Sequence, residues 1–374
     1  MNRRPSQSRT GFDSFSPQHT AHFKAAQPGG EFFEPKPRAS LGRRLLLALL
    51  LMTLIALAVN LAVNQFVRVA RVTVPIRRMD SAFEGYTLLQ ISDLKGATYG
   101  SNQALIRFAL QNEDFDAVVF TGDMVSSRGN AQPLYALIEM LRELKPDAPI
   151  YMIPGDKDPL PASMSYATGG SPFAPWVLGA KQRGGQLLSA PVQIERDGHT
   201  LWLTTSALLS LDMDTMQAQF ERQYLDALAD GDENAIELTT YNLQWLTETR
   251  NARAKMTDAD VYIALTHVPP ADEELESAYP GSLRERVHLV LCGHYQGGLI
   301  RLPFAGALFI PSQNLPLYGL LPGTDTYFGL TRKGRTYLYV SPGLGGNDGL
   351  YPLPFFRLFN PPTISLISLT TSSL

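Results

Sequence analysis

The sequence predicts an α/β protein from residue 85 onward, preceded by a single apolar helix. Three observations lead there. Strand-like and helix-like stretches alternate after residue 85, five of the strands finish in carboxylate, imidazole or glycine, and residues 45 to 63 form a nearly continuous apolar run.

The first element is that run, "LLLALLLMTLIALAVNLAV", apolar except for Thr53 and Asn60. At 1.5 Å per residue it reaches about 28 Å, close to the hydrocarbon thickness of a bilayer. We read residues 44–66 as one transmembrane helix, against the alternatives of a buried core helix or a signal peptide cleaved near Ala56-Leu57-Ala58. Residues 1–40 carry Pro, Ser, Gln and Gly without a helical or alternating period, which predicts a disordered tail. Ahead of the span stand eight Lys or Arg against three acids, which favours a cytoplasmic N-terminus and an extracytoplasmic domain in the cell membrane. Close to the span the basic residues tie, with Lys36, Arg38, Arg43 and Arg44 before it and Arg68, Arg71, Arg77 and Arg78 after it. Residues 67–84 read as a linker.

The alternation then begins. "YTLLQISDL" (86–94) reads as a strand, "NQALIRFALQNE" (102–113) as a helix, "DAVVFTGD" (116–123) as a strand, "QPLYALIEMLREL" (132–144) as a helix with Pro133 in its first turn, and "APIYMIPGD" (148–156) as a strand. This βαβαβ order implies parallel pairing. "GGQLLSAPVQIERDGHTLWLTTSAL" predicts a turn followed by an antiparallel meander that reverses at Asp197-Gly198. A helix over 239–254, strands "DVYIALTH" (260–267) and "VHLVLCGH" (287–294), and two closing strands in "RTYLYVSPGLGG" and "PTISLISL" complete the domain at 85–370. His288, inside its strand, reads as a core residue. Trp176, Tyr318, Tyr327 and the aromatics of "LPFFRLF" read as core packing, with a lipid-facing rim as the alternative.

Composition removes several function classes. A formal net charge of -3 leaves no basic excess for a nucleic-acid surface, and the single cysteine, Cys292, excludes an internal disulfide and a cysteine-rich zinc module. No protein partner can be named from the residues.

In an open α/β sheet the carboxyl ends of the strands share one edge, so the polar residues there converge. The strands deliver Asp93 and Lys95; Asp123; Asp156, Lys157 and Asp158; His267; and His294 with Gln296. A single strand-end Asp is most often a helix cap or turn former. Five strand ends of this composition point to a metal or phosphate site.

In order and context these motifs resemble the calcineurin-like metallophosphoesterases, in particular a membrane-associated bacterial branch. The family pattern runs DxH, GDxx, GNH(D/E), a lone H, then GHxH; this chain reads "ISDLKG", "FTGDMV", "IPGDKDP", "LTHVPP" and "LCGHYQGG", followed by "VSPGLGG" and "FFRLFNPPTISLISL". The resemblance implies a β-sandwich of two mixed sheets flanked by helices, a pair of metal ions, and phosphoester hydrolysis. Carried over residue by residue, the first metal would take Asp93, Lys95, Asp123 and Gln296. An ammonium has no lone pair and an amide offers only a neutral oxygen, so this site is altered and its metal lost. The second would take Asp123, Asp156, His267 and His294, a set suited to one Mn, Zn or Fe ion. The family's catalytic His is Lys157 here. Lys95 and Lys157 would then act as tethered cations beside Asp93, Asp123, Asp156 and Asp158, with Lys157, Lys95 and Asp158 as the catalytic candidates; the alternative is that both lysines point to solvent. Two functions follow: a fold retained for binding with hydrolysis weak, altered or absent, or an active phosphomonoesterase or phosphodiesterase near the membrane. The substrate or ligand is a phosphate-containing small molecule or lipid.

Overall fold

The computed structural model describes residues 40–64, 66–167, 171–276, 283–302, 306–310, 320, 327–346 and 357–372. The predicted tail therefore lies outside the described residues, as do Tyr318 and most of the "LPFFRLF" aromatics. The chain divides into two units, Met1–Thr53 and Leu54–Leu374. Helix α1 (Leu41–Val63) runs through both, and it is long and apolar enough to cross a membrane. Its side chains are exposed apart from Asn60, which is buried.

Two six-stranded sheets build the second unit. In the first, β2 (Thr87–Ile91), β3 (Ala117–Thr121), β4 (Ile150–Ile153) and β5 (Gly185–Leu187) run parallel. Beyond β2 lie β14 (Thr363–Ser372), antiparallel to it, and β1 (Arg68–Arg77), parallel to β14 over ten residue pairs. The second sheet has β7 (His199–Thr205), β8 (Val261–Leu265), β9 (Leu289–Cys292) and β13 (Thr336–Val340) parallel, with β6 (Val192–Arg196) and β12 (Gly329–Lys333) antiparallel at its edges. Strands β10 (Ile300–Leu302) and β11 (Gly306–Phe309) pair apart. The short helices α2 (Ala104–Leu110), α4 (Met164–Ala167), α5 (Pro175–Gln182), α6 (Ser206–Leu209) and α9 (Asp272–Glu276) and the longer α3 (Gln132–Leu144), α7 (Met213–Asp230) and α8 (Glu233–Lys255) fill the connections.

The strand alternation explains the layering. Along β2 and β3, Leu89, Ile91, Val118 and Phe120 face the helices, where Leu134, Leu137, Ile138 and Leu141 of α3 present one stripe at helical spacing. The opposite residues, Leu88, Ala117 and Val119, meet Leu203, Ile263 and Leu289 of the second sheet in a core between the sheets. Gln90 lies between the sheets as well; its amide donates to Thr121 Oγ1 and to the carbonyl of Cys292. Trp176 and Tyr327 are buried, consistent with core packing.

Two expectations need correction. The segment read as a linker contains β1, whose apolar positions pack at the sheet edge because β14 offers a free parallel partner. "GQL" is not a turn before a meander but strand β5, paired with β4, so only β6 and β7 form the antiparallel hairpin. That hairpin turns where expected, with Asp197 and Gly198 at φ 51° and 80°. Helix α7 went unread; Asp212 caps it by accepting from the amides of Asp214 and Thr215, and Gly231 ends it in the left-handed conformation.

His288 is a core residue. Its Nδ1 accepts from the Tyr262 amide at 3.1 Å and its ring stacks on the Tyr262 ring. Burial lowers its pKa from the ordinary 6.5, so the unfolded chain takes up this proton more readily than the folded one. The folded state should therefore lose stability as pH falls through 6.5. His288→Asn, whose amide oxygen can replace Nδ1, should flatten the acid limb of the unfolding free energy between about pH 7 and pH 5 in urea titrations.

Candidate metal centre

The strand ends converge as the topology requires. Asp93 and Lys95 follow β2, Asp123 follows β3, Asp156 to Asp158 follow β4, His267 follows β8, and His294 and Gln296 follow β9. The backbone bends sharply to aim them. Asp93, Lys95, Asp123, His294 and Gln296 all adopt positive φ, between 49° and 65°, a region that costs a non-glycine residue energy and that tends to persist where the surroundings enforce it. Glycines make the close approaches: a Cβ on Gly122 would meet the His267 ring, one on Gly155 would meet the Asp123 carboxylate, and one on Gly293 would meet Ser92 and Asp93.

Asp93 is fully buried and saturated by donors. Oδ1 accepts from Gln296 Nε2 at 3.1 Å, and Oδ2 accepts from the Ser92 hydroxyl at 2.6 Å and the His294 amide at 3.2 Å. The Lys95 ammonium, 7% exposed, lies 3.9 Å from Asp93 Oδ1 and 3.3 Å from Asp123 Oδ2. Both half-sites are thus anchored to one cation that belongs to the chain. Gln296 contributes hydrogens rather than a lone pair to Asp93, and its buried carbonyl oxygen has no hydrogen-bond partner among the described residues. A metal at this half would find the Asp93 and Asp123 carboxylates, which with His267 form a second group of ligand atoms within 4.8 Å of one another, but the Lys95 ammonium already sits 3.3 Å from the shared aspartate and Gln296 adds only a neutral amide oxygen.

The other half differs. Asp156, His267 and His294 offer ligand atoms within 4.8 Å of one another. His267 Nε2 is 2.9 Å from Asp156 Oδ1 and 3.4 Å from Asp123 Oδ2, and His294 Nδ1 is 3.3 Å from the same Asp156 oxygen. His267 Nδ1 sits 2.9 Å from the carbonyl of Thr121, to which it donates, so Nε2 is the nitrogen turned to the centre. Two imidazoles and a carboxylate, with Asp123 at the edge, fit a divalent transition ion.

Charge is balanced within the cluster. Burial opposes ionisation of His267, yet hydrogen bonds to Asp123 and Asp156 outweigh it and hold the imidazole well above its ordinary pKa. The same contacts with His267, then with His294, hold Asp156 far below the usual carboxylate range. For Asp123, burial raises the pKa, but His267 and the Lys95 charge prevail and lower it. A divalent ion on His267 would replace that proton.

Lys157 faces the cluster at its rim. Its amide donates to Asp123 Oδ1 at 2.9 Å, and its half-exposed ammonium lies 3.0 Å from Asp156 Oδ2. Neither lysine is turned away from the acids. Asp158 is different from the other candidates: its oxygens accept from the amides of Val125 and Gly155, fastening the β3 and β4 loops to each other, and burial pushes its pKa up to about 6.

Several contributors escaped sequence reasoning. Ser92 and the Thr121 carbonyl set the first contacts of Asp93 and His267. Arg357, fully buried, donates to the carbonyls of Gln296, Pro342, Gly345 and Asn360 and so braces the loop that carries Gln296. Its place in "FFRLFNPP" was visible; its partners are distant in sequence.

Lys95→Met should leave two buried carboxylates facing each other without their cation, a loss of about 3 kcal/mol or more in chemical unfolding. Gly293→Ala should cost about 1–3 kcal/mol by forcing Ser92 and Asp93 apart. Unfolding midpoints unchanged from the native chain would contradict both.

Residues 86–296 match the family profile of the calcineurin-like phosphoesterases, Metallophos. Over 295 residues the chain is 25% identical to the uncharacterized metallophosphoesterase YkuE of Bacillus subtilis (strain 168), which spans 78% of this chain and 81% of that one. Among solved structures, phosphopantetheinyl hydrolase (PptH) from Mycobacterium tuberculosis is 11% identical, with a TM-score of 0.32, covering 74% of this chain and 96% of its own. TT1561 of Thermus thermophilus is 13% identical, with a TM-score of 0.34, covering 70% and 90%. The strand-end residues sit in the order of this family's motifs, and the profile spans more than half of the sequence: the chain belongs to the calcineurin-like phosphoesterase family.

Proposed function

We propose that this chain is a membrane-anchored phosphoesterase-fold protein in which the Lys95 ammonium stands in for one of two metals, leaving room for a single divalent ion and hydrolysis that is weak, altered or absent. One observation carries the reading: Lys95 Nζ, buried, lies between Asp93 and Asp123, 3.3 Å from the carboxylate that would bridge two ions. Asp156, His267 and His294, with Asp123, would hold the remaining ion, of Mn, Zn or Fe type. When bound, such an ion supplies Lewis-acid polarisation of a phosphoryl oxygen. The chain's own residues do the rest. Lys157 presents its ammonium at the open side, where it meets an incoming phosphate-containing small molecule or lipid headgroup and offsets its charge. Lys95 holds the Asp93 and Asp123 carboxylates ionised and in place. Asp158 fixes the loop that aims Asp156 and Lys157. At the position of the family's catalytic His, an ammonium is a much weaker acid near neutral pH than an imidazolium, so protonation of a leaving oxygen is slow.

The intact set of Asp156, His267 and His294 favours a second reading, an active one-metal phosphomonoesterase or phosphodiesterase. In both, helix α1 crosses the cell membrane once, with residues 1–40 on the cytoplasmic side and the domain outside it, an orientation supported by the basic excess ahead of the span.

Elemental analysis of the purified full chain should find one equivalent of a transition metal, and none in His267→Ala. Turnover of a nitrophenyl phosphodiester with Mn²⁺ should be slow or undetectable in the native chain, and should rise by about a hundredfold or more in Lys95→His combined with Gln296→His, which supplies two imidazoles to the first half-site. Two equivalents of metal in the native chain would contradict the proposal. Brisk native turnover that Asp123→Asn abolishes would favour the active reading.

A further inference from the structure

The foot of α1 does not lead into a free linker. Asn60, the one buried residue of that helix, donates from Nδ2 to the carbonyl of Arg357 at 2.6 Å, and its Oδ1 accepts from the Phe359 amide at 3.2 Å; Asn64, one turn on, donates to the same Arg357 carbonyl. The surface around this latch has an unusual make-up. Phe66 is 70% exposed, Phe359 53% and Phe328 37%, all large aromatics in water. Among them stand two cations. Arg301 lays its guanidinium over the Phe328 ring, 3.9 Å from its centre, and Arg68 is exposed at the start of β1. Backbone bonds tie the patch together: Arg301 N to the Leu358 carbonyl at 3.0 Å and Arg68 N to the Pro362 carbonyl at 2.8 Å.

Neither arginine pairs with an acid among the described residues, and their amides donate to carbonyls only four residues apart, those of Leu358 and Pro362. Burial lowers the pKa of Arg301, Tyr327 opposes that, and the like charge of Arg68 adds to it. Two arginines on one patch, without a carboxylate partner among the described residues, offer a site for an anion, and exposed aromatics mixed with arginines at the end of an apolar helix match the chemistry of the headgroup layer, where rings sit among the lipids and cations meet phosphate.

We infer that Phe66, Arg68, Arg301, Phe328 and Phe359 form a docking surface for anionic phospholipid headgroups of the leaflet in which α1 ends. The inference rests on the reading of α1 as a membrane span and goes further: the surface beside the foot of α1 itself meets the headgroups. Arg357 links this surface to the centre, since its carbonyl receives Asn60 and Asn64 while its guanidinium holds the Gln296 carbonyl at 3.0 Å.

The test uses the full chain in nanodiscs of phosphatidylcholine, with or without phosphatidylglycerol, and reads hydrogen exchange at residues 66–71 and 299–302. Exchange there should slow by roughly tenfold when phosphatidylglycerol is present, as expected for two basic residues at an anionic surface. The difference should vanish in Arg68→Glu combined with Arg301→Glu, and Phe359→Ser should weaken protection in both lipids. If the charge-reversed chain does not fold by circular dichroism, high salt serves in its place and should erase the difference in the native chain. Equal exchange in the two lipids, or a difference that survives charge reversal in a folded chain or high salt, would overturn the inference. Alkaline carbonate extraction scores the anchor separately: a chain released by carbonate fails as a span, while its lipid-dependent exchange still scores the docking surface.

Discussion

Everything about the centre follows from the need to neutralise three aspartates, Asp93, Asp123 and Asp156, brought together where parallel strands end. Carboxylates held this close either bind cations or take up protons, and the low polarity around Asp93 and Asp123 magnifies the requirement. On the proposed reading the cations beside these acids are covalent parts of the protein. Lys95 serves the buried pair, hydrogen bonds to Asp123 and Asp156 raise the pKa of His267 between them, and Lys157 covers the outer oxygen of Asp156. On that reading the His267 side keeps a donor set that a divalent ion could claim by displacing a proton.

The strand ends with positive φ are the mechanical counterpart of this electrostatics. Asp93 and Lys95, then His294 and Gln296, alternate along loops that curl back so that both members of each pair face the same hollow. Such backbone is costly and survives here because the loops are tied from several sides: Asp158 joins the β3 and β4 loops, and Arg357 and Asn360 clasp the Gln296 carbonyl. Glycines at 122, 155 and 293 admit the close contacts that a side chain would block.

Much of this was legible in the sequence. The βαβαβ alternation identified β2, β3 and β4 because both faces of those strands are buried and read as continuous apolar runs, and the polar residues closing them are the ones that converge. Strand β1 was unreadable because "RVARVTVPIR" is rich in arginine and its strand partner, β14, lies some three hundred residues away. Helix α7 carries a weak apolar stripe, with only Met213, Phe220 and Ala227 buried, so its period was faint. The bracing by Arg357 and the latch by Asn60 depend on long-range hydrogen bonds to main-chain carbonyls, which leave no pattern in the residues themselves.

The central claim is that an ammonium occupies half of a two-ion pocket. Anomalous X-ray scattering from crystals of the full chain grown with Mn²⁺ tests it most directly. The account predicts one peak, bounded by Asp156, His267 and His294, with the Lys95 amine still between Asp93 and Asp123. Two peaks sharing Asp123, with the Lys95 side chain swung out of the pocket, would contradict it.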